Sequence, residues 1–174
     1  DGRMPAIWIP KNFRPPIVKK ESQGLAAFRD YDWYFARMKR TLQGKSKIFL
    51  TPCAATKPIY SSSLHRGIYQ KFTSFYGKDR IILVVSEPVV LINYQDLYDF
   101  EKTFCYDFPP KFLGKESRKL FVERLAILLR GKDILGCLPR HHASLIDNAV
   151  GKNWKNFWDG NMYSMMKKAS KLMK

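Results

Sequence analysis

The chain has 174 residues, 45% of them hydrophobic, and carries 31 lysines and arginines against 15 aspartates and glutamates, a formal charge of +16. That is enough apolar material for one packed domain with basic ends, and it excludes a disordered tail. The charge excess points to a polyanionic partner, nucleic acid ahead of an anionic membrane, and no apolar run approaches the ~20 residues that cross a bilayer. The start, Asp1-Gly2-Arg3-Met4-Pro5, has no apolar signal-peptide core.

Residues 1–19 are rich in proline and basic side chains (Pro10, Pro15, Pro16; Lys11, Arg14, Lys19) and read as an extended arm. From Ser22 to Leu42 the spacing of Phe28, Tyr31, Phe35, Met38 and Leu42 predicts one helix with a single apolar stripe. Arg37, Lys39 and Arg40 lie largely off that stripe and are expected on a solvated, phosphate-tracking face. Strands are predicted over 47–51 and 80–85, with a short third over 89–92. Helices are predicted over 65–76, 95–104 and 116–130, the last stopped by Gly131. A further strand over 134–138 ends in Pro139-Arg140-His141-His142 and leads into another helix.

Alternation of strand and helix predicts an α/β fold, a three-layer sandwich with a mainly parallel sheet. The division expected is a basic arm and helix over 1–46, an α/β core over 47–150, and a basic C-terminal helix over 151–174. In that last segment Trp154 and Lys155, then Lys167 and Lys168 opposite a methionine stripe, suit base stacking and phosphate contact. Arg140, His141 and His142 are further candidates for phosphate contact.

Cys53, Cys105 and Cys137 are odd in number and widely spaced. They have neither the CxxC pairing of zinc sites nor the density of a disulfide scaffold, so a reducing cytoplasm is expected. Cys105 and Cys137 read as small buried hydrophobes. No His-x-x-x-His pattern or acidic cluster argues for a metal, no glycine-rich loop for a nucleoside triphosphate, and no cofactor is expected.

Cys53 stands apart. It opens a polar loop after the first strand, Pro52-Cys53-Ala54-Ala55-Thr56-Lys57-Pro58-Ile59-Tyr60-Ser61-Ser62-Ser63-Leu64-His65, where α/β proteins commonly bind ligands. A thiol of pKa ~8.5 becomes reactive at neutral pH beside a cation or a helix N-terminus. Lys57 and His65 are the cations the loop offers.

Pro52, Cys53, Lys57, Pro58, Ser62 and His65 fall in register with the PC-x3-KPY-x2-S-x2-H pattern of the archaeosine synthase core domain, with Ile59 in place of the tyrosine. Two later segments resemble that family in the same order. Ser86-Glu87-Pro88-Val89-Val90-Leu91-Ile92 is similar to its S-P-L-G-L-V-P, and Tyr106-Asp107-Phe108-Pro109 to its Y-D-x-P. The resemblance covers roughly residues 47–112. It implies a uracil-DNA glycosylase-like fold and an amine transfer, lysine in the family, to the nitrile of a 7-cyano-7-deazaguanine base in transfer RNA. For this short chain DNA is an equal candidate, as in phage genomes that carry deazaguanines, and the compartment is then the host cytoplasm.

On that reading Cys53 is the nucleophile, Lys57 and His65 activate it, and Asp107 holds the amine or the base edge. Pro52, Ser62, Ser86, Glu87 and Tyr106 line the base site. Two other functions compete. A base-excising glycosylase fits the layout, with Pro139-Arg140-His141-His142 as a late histidine loop, but the Gly-Gln-Asp-Pro-Tyr-His motif is absent. A non-catalytic basic DNA-binding protein would bind in a salt-sensitive way, indifferent to Cys53.

Overall fold

The computed structural model describes residues 8–53 and 80–161, together with residues 164, 165, 167, 168 and 171. Five strands, β1 (Lys47–Thr51), β2 (Ile81–Ser86), β3 (Val90–Asn93), β4 (Asp133–Gly136) and β5 (Lys155–Asn156), form one sheet in the order β3-β2-β1-β4-β5. β1 runs parallel to β2 and β4, and β4 to β5, whereas β2 and β3 form an antiparallel hairpin. The fold is therefore α/β with a mixed, mostly parallel sheet, consistent with the three layers expected.

Burial explains why these segments became strands. Ile48, Phe49, Leu50 and Thr51 are all buried, as are Ile82 to Ser86 and Val90 to Asn93. Burial without alternation means that both faces of the sheet are covered, which is where β-branched apolar runs belong. Gly136 in β4 is needed for close approach. A Cβ there would sit 3.1 Å from Leu50 Cβ and 3.3 Å from the Trp154 ring.

The predicted long helix is two helices, α1 (Gly24–Asp30) and α2 (Asp32–Leu42), after a 3-10 turn at Glu21–Gln23. The break falls at Tyr31, whose hydroxyl donates to Thr103 O at 2.7 Å. Arg124 straddles it, donating to Phe28 O at the end of α1 and to the Asp32 carboxylate at the start of α2. The apolar stripe survives because one residue absorbs the break: Phe28, Tyr31, Met38 and Leu42 are buried and Phe35 half-buried. These side chains join the same core as β1, β2 and the later helices, so the core runs without interruption across residues 46 and 47.

Further helices among the described residues are α3 (Tyr94–Asp99), α4 (Lys115–Leu129) and α5 (Arg140–Val150), and residues 164, 165, 167, 168 and 171 are helical, within the C-terminal helix expected. The predicted 95–104 helix ends early, at Asp99, and continues as a 3-10 turn over Glu101–Phe104. The arm is fastened to the body. Val18 N donates to Asp107 O at 2.8 Å, Asp107 N donates to Pro16 O at 3.0 Å, and Phe13 packs edge-on against Tyr31 and Trp33. The predicted helix over 65–76 and the loop residues Lys57, Ser62 and His65 lie outside the described residues. Among the described residues no helix is long and apolar enough to cross a membrane.

Candidate active site

The chain leaves β1 toward β2 on one side and later enters β4 on the other. The carboxyl ends of β1 and β4 therefore flank a switch point, the place where open α/β sheets leave a crevice. Three neighbouring parallel strands deliver side chains there: β1 delivers Pro52 and Cys53, β2 delivers Ser86 and Glu87, and β4 delivers Pro139 to His142. Asn156 clamps the β4 exit, with Leu138 N donating to its Oδ1 and its Nδ2 donating to Leu138 O, both at 2.9 Å. A cleft of about 420 Å3 results, lined by Cys53, Glu87, Tyr106, Asp107, His141 and His142, with Phe108, Pro109, Pro110 and Pro139 as apolar wall. That volume lies within the ~300–1,000 Å3 typical of small-molecule sites.

Cys53 is half-buried, and its Sγ lies 2.9 Å from Ser86 Oγ. Behind Ser86 the Tyr106 hydroxyl makes a short hydrogen bond to the same Oγ. Burial, then the charge of Cys53, raises the Tyr106 phenol well above its ordinary range, so it stays protonated and is available as a donor. Tyr106, Ser86 and Cys53 thus form a hydrogen-bonded row that positions the sulfur.

Glu87 is 4% exposed. Its Oε1 is 2.5 Å from His142 Nε2 and 3.3 Å from His141 Nε2. His142 is buried, and its Nδ1 has no hydrogen-bond partner among the described residues, whereas His141 sits at the rim. The turn that carries Glu87 hands over to β3 at Val90, whose φ of 88° costs a β-branched residue ~1–3 kcal/mol and persists only where the surroundings impose it. Val90 is fully buried opposite Ser86 in the hairpin.

Burial alone would raise the Glu87 carboxyl, but hydrogen bonds and charge from His141 and His142 outweigh it and hold the group at about 2 instead of 4.5. A carboxylate depressed in this way contributes stability that is complete above its unfolded pKa and is lost as pH falls through the folded one. Stability is therefore expected to drop between pH 4.5 and about 2, by on the order of 3 kcal/mol from this group. Glu87→Gln should flatten that part of a plot of Tm against pH. Equal acid slopes in the two proteins would show that another group is responsible.

The predicted site residues separate into groups. Cys53, Ser86, Glu87, Tyr106 and Asp107 meet at the cleft, with Pro52 buried beside Cys53. His141 and His142, expected at a phosphate-contacting surface, join them beside Glu87, and His142 is buried there. Arg37 is a clear correction. It is 6% exposed and forms a two-pronged ion pair with Asp96, Nε to Oδ2 and Nη2 to Oδ1 at 3.0 Å each, so it faces the core. Lys39 and Arg40 are exposed but end α2 near the amino end of β1, opposite the cleft. Arg140, Lys155 and Lys167 are exposed, Arg140 opens α5 beside the cleft, and Lys168 pairs with Asp159 at 2.9 Å. Trp154 is half-buried, and its indole N–H donates to Asp147 at 2.8 Å, so it packs over the sheet instead of offering a stacking face.

Cys137 is buried as expected, and its thiol is pushed up to about 12 by burial, whereas Cys105 is exposed, contrary to expectation. The meeting of Glu87, His141 and His142 has no signature in spacing along the chain, because 54 and 55 residues separate the acid from the two histidines. The usable signal was an acid directly after one strand and paired histidines directly after another, since such ends converge in a parallel sheet.

No family model matches the chain, and no curated protein matches it significantly. Among solved structures it is similar to the crystal structure of AF0587, a protein of unknown function, with a TM-score of 0.53 and 12% sequence identity. The match covers 79% of this chain and 49% of that one, so the chain spans about half the length of that protein. At this identity the likeness shows a shared α/β fold.

Proposed function

We propose that the chain is a nucleic-acid base-modifying enzyme that joins an amine to the nitrile of a 7-cyano-7-deazaguanine-type base through a covalent adduct on Cys53. The observation that carries this reading is a directed thiol at the carboxyl end of the central strand, sharing one cleft with Glu87, His141, His142 and Asp107. The Cys53 sulfur adds to the nitrile carbon and its proton passes to the nitrogen, giving a thioimidate. The amine then adds to the same carbon and the thiol departs with a proton, leaving an amidine. No atom of either substrate is lost. The Glu87–His141–His142 cluster takes up charge at the nitrile nitrogen, and Asp107 holds the amine or the base edge.

Two features beyond the thiol support the resemblance to archaeosine synthases. With Glu87 taken as an added residue, the glycine of the S-P-L-G-L-V-P segment falls on Val90, which holds the positive φ that glycine takes freely. The Y-D-x-P segment, Tyr106 to Pro109, forms one wall of the cleft. A uracil-DNA glycosylase-like arrangement belongs to the same proposal. The formal +16 and the exposed Arg140 and Lys155 at the cleft end of the sheet draw in the polyanion. The base must leave its stack to reach Cys53, at a few kcal/mol (roughly) for a duplex.

The test uses DNA and transfer RNA carrying the nitrile base, incubated with lysine or another amine, then digested and weighed as nucleosides. A gain equal to the whole mass of the amine is the expected result. An abasic site would replace this reading with a glycosylase. An unchanged nucleoside with salt-sensitive binding would replace it with a non-catalytic binder.

A further inference from the structure

Glu87, His141 and His142 offer three ligand atoms that lie within 4.8 Å of one another, supplied by the ends of β2 and β4. Both imidazoles direct Nε2 at the same carboxylate oxygen, at 2.5 and 3.3 Å. We infer that this cluster is a binding site for a divalent first-row transition metal, with zinc the best fit to two imidazoles and one carboxylate.

Bonds of ~2.0–2.2 Å at tetrahedral angles put ligand atoms roughly 3.3–3.5 Å apart. The Glu87–His141 separation of 3.3 Å already has that value. The 2.5 Å Glu87–His142 separation has to open by less than ~1 Å to match it, and all three ligand atoms lie within 4.8 Å of one another. Burial holds two of the three ligands in place, since Glu87 is 4% and His142 5% exposed. His141 stands at the rim, so the fourth position opens into the cleft, as in catalytic zinc sites. Charge favours the ion as well. A buried carboxylate has to be paired or to coordinate a metal, and Glu87, at 4% exposed, offers its oxygen beside two imidazole nitrogens.

Glu87 is also one of the residues, with Val90 in place of the glycine, by which this chain departs from the S-P-L-G-L-V-P segment. The site is thus built from a feature of this chain. Whether metal binds does not depend on the amidine-forming reading; only the ion's task, receiving the nitrile nitrogen as a Lewis acid, rests on it.

The experiment needs no substrate. Protein stripped with a chelator is dialysed against zinc and its metal content is measured, and cobalt is bound in parallel for its visible absorption. Stoichiometric zinc is expected in the unaltered chain. Glu87→Gln and His141→Ala should each weaken binding at least tenfold (roughly, since losing even an outer partner of a ligand costs ~10–100-fold). His141 lies at the rim, so its variant should fold even where the Glu87 variant does not, and thermal unfolding checks both. Cys53→Ala should keep its zinc. Sub-stoichiometric zinc in the unaltered chain, unchanged binding in His141→Ala, or loss of zinc in Cys53→Ala would each overturn the inference. Amine transfer can fail while zinc binds, which separates this result from the proposed reaction.

Discussion

If the proposed reaction holds, Cys53→Ala is expected to lower amine transfer by roughly 10^4-fold or more, the scale on which removal of an attacking nucleophile acts. Nucleic-acid affinity should stay within a few-fold of the unaltered chain, because the proposed reading assigns it to exposed cations such as Arg140 and Lys155. Cys53→Ser is the sharper variant. Its hydroxyl can keep the hydrogen bond to Ser86, now seen at 2.9 Å from Sγ, so the geometry is retained while the nucleophile is weakened. Both variants should therefore be inactive, and an adduct between protein and base, trapped without amine and weighed intact, should form only with the unaltered chain. Full turnover in either variant would remove the covalent mechanism.

The largest expected stability effect lies elsewhere. Asp96→Ala should cost about 3–5 kcal/mol in denaturant unfolding, because it strips a buried guanidinium of its carboxylate. Against the ~5–15 kcal/mol that holds a domain together, that is a large share. The same carboxylate accepts from Tyr34 OH at 2.8 Å, so two polar groups lose a partner together. Burial, then the Asp96 charge, raises the Tyr34 phenol well above its ordinary range and keeps it a neutral donor. Combining Arg37→Met with Asp96→Asn leaves Tyr34 an acceptor and buries no charge, and it should recover most of the loss. A cost below ~1 kcal/mol for Asp96→Ala would contradict a stabilising role for the pair.

These two sites mark how far the sequence alone could be read. The strands were legible because Ile48-Phe49-Leu50 and Ile81 to Val85 are apolar runs too short for a helix, and two-sided burial is what such runs need. Cys53 was legible because a polar loop after a strand is unusual in its chemistry. Arg37 was not legible. An arginine off an apolar stripe is normally solvated, and only Asp96, 59 residues further on, turns it inward. The Glu87 cluster was hidden for the same reason, since His142 follows its partner by 55 residues and meets it only once β2 and β4 flank β1. β5 escaped notice because Lys155–Asn156 is a polar pair at a sheet edge, held by backbone pairing with β4 and not by burial.

The attachment of the arm makes the cleft wall readable from a distance. The Asp107 amide donates to Pro16 O and the Val18 amide to Asp107 O, so these two hydrogens are shielded from solvent by one and the same contact. Their exchange with deuterium should rise and fall together, at the free energy of releasing residues 16–18 and not at that of unfolding the domain. A nucleic acid that enters the cleft and rests on Asp107, as the proposed function has it, should slow both, and its arrival would then register at Val18, on a segment far back in the chain from Cys53.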